Sequence, residues 1–137
     1  MDLNIANPAA LDVMLSRRSL KTRYMGEPAP AGDDLQTMLK AATRVPDHGK
    51  LSPWRYIVLE KEDQVKLGAI IQEALIAEGE SSEKTALKMA GFATQAPLLI
   101  VAVYSPIEDS KIPLLEQQMS CGASVMNLIM AAHALNY

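Results

Sequence analysis

From Gln117 to Tyr137 the chain carries no Asp, Glu, Lys or Arg. A stretch that long without charge must be hidden, either in lipid or in a protein core. Its polar residues decide between the two. Gln117, Gln118, Ser120, Ser124, Asn127, His133 and Asn136 recur along it, and no basic flank or aromatic belt marks its first side. The pattern predicts a buried helix of a soluble protein, starting near Leu114. Within it, Cys121 reads as a packed small residue rather than a reactive thiol. As the single cysteine it excludes an internal disulfide and fits a reducing cytoplasm.

The rest of the chain alternates helical and strand signals. Residues 8–16 read as a helix, with Pro8 in its first turn and Leu11, Met14 and Leu15 on one face. The prolines of Glu27–Pro30 favour an extended connector. A second helix starts at Asp33, with Asp33 and Gln36 fitting a capping box, and carries the stripe Leu35, Met38, Leu39 and Ala42 up to Pro46. Residues 45–53 are a loop and 54–60 a strand. Residues 62–78 read as a helix with Leu67, Ile70, Ile71, Ala74 and Leu75 on one side, stopped by Gly79. Another helix is expected over 80–92. The unbroken apolar run Leu98–Tyr104 reads as a strand buried on both faces.

Helices around such a strand imply a layered α/β or α+β domain, and 137 residues fit one domain on a prior of ~100–200. Only two strands are visible, so further strands come from weakly patterned segments or part of the sheet is missing. The first ten residues show no basic region followed by an apolar stretch, and no signal peptide is expected.

Several chemistries are excluded. A net charge of −3 gives no footprint for nucleic acid or an acidic membrane. GxGxxG, GxxxxGK[ST] and GxSxG motifs are absent. Two histidines and one cysteine, widely spaced, make a metal centre unexpected.

Two polar clusters remain. Arg17-Arg18-Ser19-Leu20-Lys21-Thr22-Arg23 offers guanidinium forks, an ammonium and hydroxyls, a suitable set for a phosphate. On composition alone, a solvated basic face or compensation of the preceding helix dipole is the favoured reading. Arg44-Val45-Pro46-Asp47-His48-Gly49, followed by Ser52-Pro53-Trp54, forms a rigid polar loop ahead of a strand, where ligand contacts often lie.

Together the clusters resemble the nitroreductase family. Arg17-Arg18-Ser19 with Lys21 and Arg23 looks like that family's signature for the ribityl phosphate of flavin mononucleotide (FMN). Arg44-x-Pro46-Asp47-His48, then Pro53-Trp54, is similar to its small single-domain branch, as is Glu116-Gln117-x-Met119-Ser120 before a small, apolar helix. The resemblance runs from about Leu11 to Tyr137. It implies an α+β, three-layer fold: a central, mainly antiparallel sheet flanked by helices. It also implies one FMN-binding domain over 1–137, incomplete at its C-terminal side because family members continue further. The implied protein is a cytoplasmic homodimer with FMN at the subunit interface. It takes electrons from NADH or NADPH and passes them to nitroaromatic, quinone or similar acceptors in a two-stage cycle.

Carried over by motif, Arg17, Arg18 and Ser19 hold phosphate and ribityl groups. Arg44 and His48 are expected to contact the same cofactor from the partner subunit. Beside the motif, a cation near the edge of the reduced, anionic ring stabilises it, and Lys21 and Arg23 are the two candidates. Ala131, Ala132, His133, Ala134, Leu135 and Asn136 fall in a region assigned to nicotinamide dinucleotide binding. No protein nucleophile is implied, since the flavin carries the chemistry. Ser120, Gly122, Ala123 and Ser124 would let two helices approach closely at a dimer seam, or pack within one subunit. The alternative function is a non-enzymatic flavin-binding or regulatory module derived from such enzymes.

Overall fold

A computed structural model describes residues 5–79 and 81–137. The first four residues of the segment read for a signal peptide, and the first residue of the helix expected over 80–92, lie outside the described residues. Among the described residues five α-helices and two strands follow one another: α1 (Pro8–Ser16), α2 (Gly32–Ala42), β1 (Trp54–Leu59), α3 (Lys61–Glu78), α4 (Glu83–Gly91), β2 (Leu99–Tyr104) and α5 (Leu114–Ala134). The class is α+β. Among the described residues the strands pair only with each other, and the Ser105 N–H donates to Pro53 O at 3.0 Å, so the end of β2 meets the start of β1 and the pair is antiparallel.

The chain forms two compact units. One comprises the residues up to Ser19, Pro30–Trp54 and Tyr104–Tyr137; the other comprises Leu20–Ala29 and Arg55–Val103.

In the first unit α5 is the spine. It packs on α2 and α1. From α2, Met38 and Ala42 are buried, and from α5, Gln117, Cys121, Ser124 and Leu128. These α5 positions recur every three or four residues, which marks one helix face. Apolar area removed from water stabilises such a face by about 25 cal/mol per Å². The stripe read on α2 is correct, but its cap is not Asp33. Ala31 occupies the N-cap without a side-chain bond, and Asp33 and Asp34 sit in the first turn, where their charge favours the helix dipole instead. The apolar face read on α1 is not buried. Leu11, Met14 and Leu15 are 59%, 63% and 74% exposed, because none of the other described residues covers them.

Gln117 ties the loop ahead of α5 to the helix. Its Nε2 donates to Ile107 O at 3.1 Å and Ile112 O at 3.0 Å, and its Oε1 accepts from the Ile107 N–H at 2.9 Å. A buried amide is tolerated because its donors and its acceptor are all engaged. The Tyr104 hydroxyl donates to Leu114 O at 3.0 Å at the same end. At the other end the Tyr137 hydroxyl donates to Asp34 Oδ2 at 2.8 Å, and that bond, reinforced by desolvation and the carboxylate charge, raises the phenol above its ordinary value.

The second unit packs α3 against α4 and a short 3-10 turn at Phe92–Thr94. Ser82 caps α4, accepting from the Thr85 N–H at 3.2 Å. Gly79 ends α3 in the left-handed conformation, as its position predicts. The buried line of α3 differs from the sequence reading. It runs through Gln64 and Gly68, while Ile70 is 62% exposed. The reason is close approach: a Cβ at Gly68 would lie 3.0 Å from Ala90 O, so the small residues, not the large ones, set the α3–α4 contact. Gln64 Nε2 donates to Leu59 O at 3.1 Å and Pro97 O at 3.3 Å, joining α3 to the segments that flank the strands. β2 is half-buried rather than buried on both faces, since β1 is its single neighbour among the described residues.

Three outcomes are expected. Gly68→Ala forces a methyl against backbone and should destabilise the protein by ~1–3 kcal/mol in denaturant titration. Gln117→Leu leaves three loop groups unpaired, and the Ile107 amide should lose hydrogen-exchange protection while stability falls by roughly 2 kcal/mol or more. Burial raises the Cys121 thiol above its ordinary value. The folded state therefore holds that proton more tightly than the unfolded chain. Its contribution is complete below the unfolded thiol pKa and is lost as pH rises through the folded one. Labelling of the native protein by a thiol reagent at pH 8 should be slow and should reach the rate of a free thiol only in denaturant.

Candidate functional site

Helix α1 stops at Ser16 and delivers the basic cluster. Ser16 Oγ and His133 Nε2 lie 2.9 Å apart, so the end of α1 rests on the last turn of α5. Arg18 Nη1 donates to Leu15 O at 3.5 Å and Arg17 O at 3.0 Å, beside the negative end of the α1 dipole. Arg17 Nη1 donates to Ser19 Oγ at 3.3 Å. Arg18 and Ser19 are exposed and Arg17 half-buried. Among the described residues, Arg17 and Arg18 have no carboxylate partner. The structure thus brings the first part of the basic cluster next to the 131–136 segment. There Ala131, Ala132, His133 and Leu135 are half-buried, Ala134 and Asn136 exposed, and Asn136 has φ +68°.

The second cluster meets α5 elsewhere. Asn127 Nδ2 donates to Arg44 O at 2.9 Å and to Ala41 O at 3.3 Å, fixing the end of α2 at the middle of α5. The Arg44 side chain remains exposed. The following loop is tightly wound. Gly49, Lys50 and Ser52 have φ of +75°, +53° and +49°. For the two non-glycine residues this is costly and persists only when neighbours enforce it. The enforcers are visible. Asp47 accepts the Lys50 N–H on its carbonyl at 3.1 Å and the Ser52 N–H on Oδ2 at 2.8 Å. Pro53 is fully buried, and Ile112 packs so close to Gly49 that an added Cβ would touch it at 3.4 Å. His48 projects from this loop, exposed, with Nδ1 2.9 Å from Glu116 Oε2 in the first turn of α5. That contact turns Nε2 outward.

Along α5 the two clusters stand apart. The Ser16–His133 and His48–Glu116 contacts are roughly 25 Å from each other along the helix axis at ~1.5 Å per residue. One chain therefore does not gather Arg17, Arg18 and Ser19 with His48 around a single phosphate. Between these ends α5 presents a second line. Leu115, Met119, Met126 and Ile129 are 66%, 67%, 44% and 43% exposed, and Gly122 lies on the same line with open space at its Cβ position. Of the small residues read as a possible seam, Ser124 is buried within the chain and Gly122 faces outward.

Lys21 and Arg23 belong to the second unit. With Leu20, Thr22, Phe92 and Gln95 they line an open cavity of about 620 Å³. The Arg23 guanidinium lies 5.0 Å from the centroid of the Tyr24 ring, and its Nη2 reaches the Tyr24 hydroxyl at 3.3 Å. The Thr22 hydroxyl donates to Gln95 Oε1. Neither Lys21 nor Arg23 has a carboxylate partner among the described residues. Phe92 and Gln95 carried no signal in the sequence: one opens the short Phe92–Thr94 turn and the other follows it, and the turn is placed by its packing on α3 and α4.

Comparisons with known proteins agree with this architecture. The profile of the nitroreductase family matches residues 14–137. The Escherichia coli (strain K12) protein named "Putative NAD(P)H nitroreductase YdjA" is 38% identical over 128 residues, covering 93% of this chain and 68% of its own. Among solved structures, the nitroreductase-like family protein from Bacillus cereus superposes with a TM-score of 0.70 at 21% identity, over 96% of this chain and 66% of that one. A nitroreductase with bound FMN from Bacteroides fragilis NCTC 9343 gives 0.68 at 21% identity, over 92% and 65%. The chain thus spans about two thirds of the length of each. With its profile matched over nearly all of its residues and a relative well above a third identical, this chain belongs to the nitroreductase family.

Proposed function

We propose that the chain is a nitroreductase-like FMN-binding domain of a cytoplasmic oxidoreductase that draws electrons from NADH or NADPH and reduces nitroaromatic, quinone or similar acceptors. The observation that carries this reading is the donor set. Arg17, Arg18, Ser19, Lys21 and Arg23 lie together in sequence and supply guanidinium, ammonium and hydroxyl groups with no carboxylate against the four cations among the described residues. In a chain of net charge −3 such a set fits a dianionic phosphate and an electron-rich ring edge. Arg17, Arg18 and Ser19 would hold the phosphate and ribityl groups, with Lys21 or Arg23 at the ring edge. Arg44 and His48 would bind from the partner subunit. The segment Ala131–Asn136 would meet the dinucleotide. FMN, when bound, supplies hydride and electron transfer. The chain's own residues bind and orient it and exclude water.

The separation of the two clusters along α5 favours a homodimer. If two α5 helices cross antiparallel through Gly122, the His133 end of one lies near the Glu116 end of the other. The line Leu115, Met119, Gly122, Met126 and Ile129 has the alternating spacing of four and three residues that buries against a neighbouring helix. A two-fold interface of this kind would set Arg17, Arg18 and Ser19 of one copy against the His48 loop of the other.

Protein purified with FMN should show flavin absorbance and bleach under anaerobic NADH or NADPH; a protein that stays colourless in excess FMN would overturn the reading. Arg17→Ala with Arg18→Ala removes two charge-assisted contacts of ~1.5–3 kcal/mol each. FMN affinity should fall by at least about a hundredfold, with a smaller fall for His48→Ala. Met126→Glu should convert a dimer to monomers in sedimentation and weaken FMN binding with it.

A further inference from the structure

The cavity of the second unit has a composition that the cofactor alone does not explain. Its polar lining carries the Lys21 ammonium, the Arg23 guanidinium, the Thr22 hydroxyl and the Gln95 amide, and no carboxylate. The Arg23 guanidinium is steadied by the Tyr24 ring and hydroxyl and keeps N–H groups to spare. Gln95 has its carbonyl oxygen engaged by the Thr22 hydroxyl, which leaves both Nε2 donors for a further partner. Beside them stands Phe92, the one phenylalanine of the chain, half-exposed although it sits in a packed turn. An aromatic wall next to two cations and an amide donor, with no carboxylate in the lining, selects a flat ring carrying an anion. The volume of about 620 Å³ is in the range of small-molecule sites, ~300–1,000 Å³.

We infer that Arg23, Gln95 and Phe92 form a subsite for planar aromatic anions, such as aryl carboxylates, and that the electron acceptors this protein prefers carry a negative charge. The inference rests on the flavoenzyme reading for its meaning, but the subsite itself needs no flavin to be tested. In this assignment Lys21, two residues after Ser19, stays with the cofactor, and Arg23 serves the acceptor. Arg23 donates to the carboxylate, Gln95 Nε2 completes the anion's shell, and Phe92 stacks on or edges the ring.

The test compares 2-naphthoate with the isosteric, neutral 2-naphthamide by titration calorimetry on the protein as purified, and again after addition of FMN, with flavin content read from absorbance. Naphthoate should bind at least about tenfold more tightly than the amide, the scale of one charge-assisted contact. Adding salt should narrow the difference. Gln95→Glu should abolish the preference, and Phe92→Ala should weaken both ligands, with circular dichroism confirming that each variant is folded. Equal affinity for the two ligands in wild-type protein overturns the inference, with no variant needed. Displacement of naphthoate by FMN also overturns it, because the cavity would then belong to the cofactor. A protein that discriminates the two ligands but holds no FMN keeps the subsite and removes the flavoenzyme reading, so the two failures are distinct.

Discussion

Helix α5 has no charged side chain after Glu116, and the first unit is organised by how that helix finds cover. One face is satisfied inside the chain. Cys121, Ser124 and Leu128 meet α2 and its surroundings, and Gln117 replaces solvent with three hydrogen bonds to the preceding loop. The same helix then serves as a ruler. Glu116 holds His48 at its start, Asn127 holds the end of α2 at its middle, and His133 holds the end of α1 at its close. Asn127 and His133, two of the polar residues that argue against a membrane span, make two of these attachments. None of the helices is long and apolar enough to cross a bilayer among the described residues.

The loop of residues 44–53 shows how local cost and tertiary support are matched. Two non-glycine residues held at positive φ would relax if the loop were free. The Asp47 carboxylate, the buried Pro53 and the Ile112 side chain against Gly49 prevent this. Ile112 in turn is held through its carbonyl by Gln117. His48 is thus aimed by a chain of contacts that ends one residue from its own partner, Glu116. A mobile histidine would spend little time in one orientation; this one has a fixed neighbour and one nitrogen facing outward.

Small residues matter as much as large ones. Gly68 against Ala90, the buried Ala86 and Ala93, and Ser124 on α5 set how closely helices approach. Large apolar residues that the period alone would bury, such as Ile70 and Leu11, stay exposed. Helical periodicity reports which residues share a side. It does not report which side meets a neighbour, and in α1 and α3 that difference decided the outcome.

The elements were largely legible from the residues. The prolines, Gly79 and the three-to-four spacing of apolar residues marked α1, α2 and α3, the long uncharged stretch marked α5, and short apolar runs marked both strands, because these signals lie within contiguous sequence. The basic run Arg17–Arg23 and the loop around His48 were visible for the same reason, as was the family likeness that they carry. Tertiary structure alone decided the rest. It set the Arg17 and His48 clusters at opposite ends of α5, brought Phe92 and Gln95 beside Arg23, and left β2 half-buried next to one strand. The physical reason is range. Backbone preference and periodicity are properties of neighbours in sequence, whereas burial and the meeting of distant side chains depend on which surfaces pack, and packing is settled by the whole set of shapes at once.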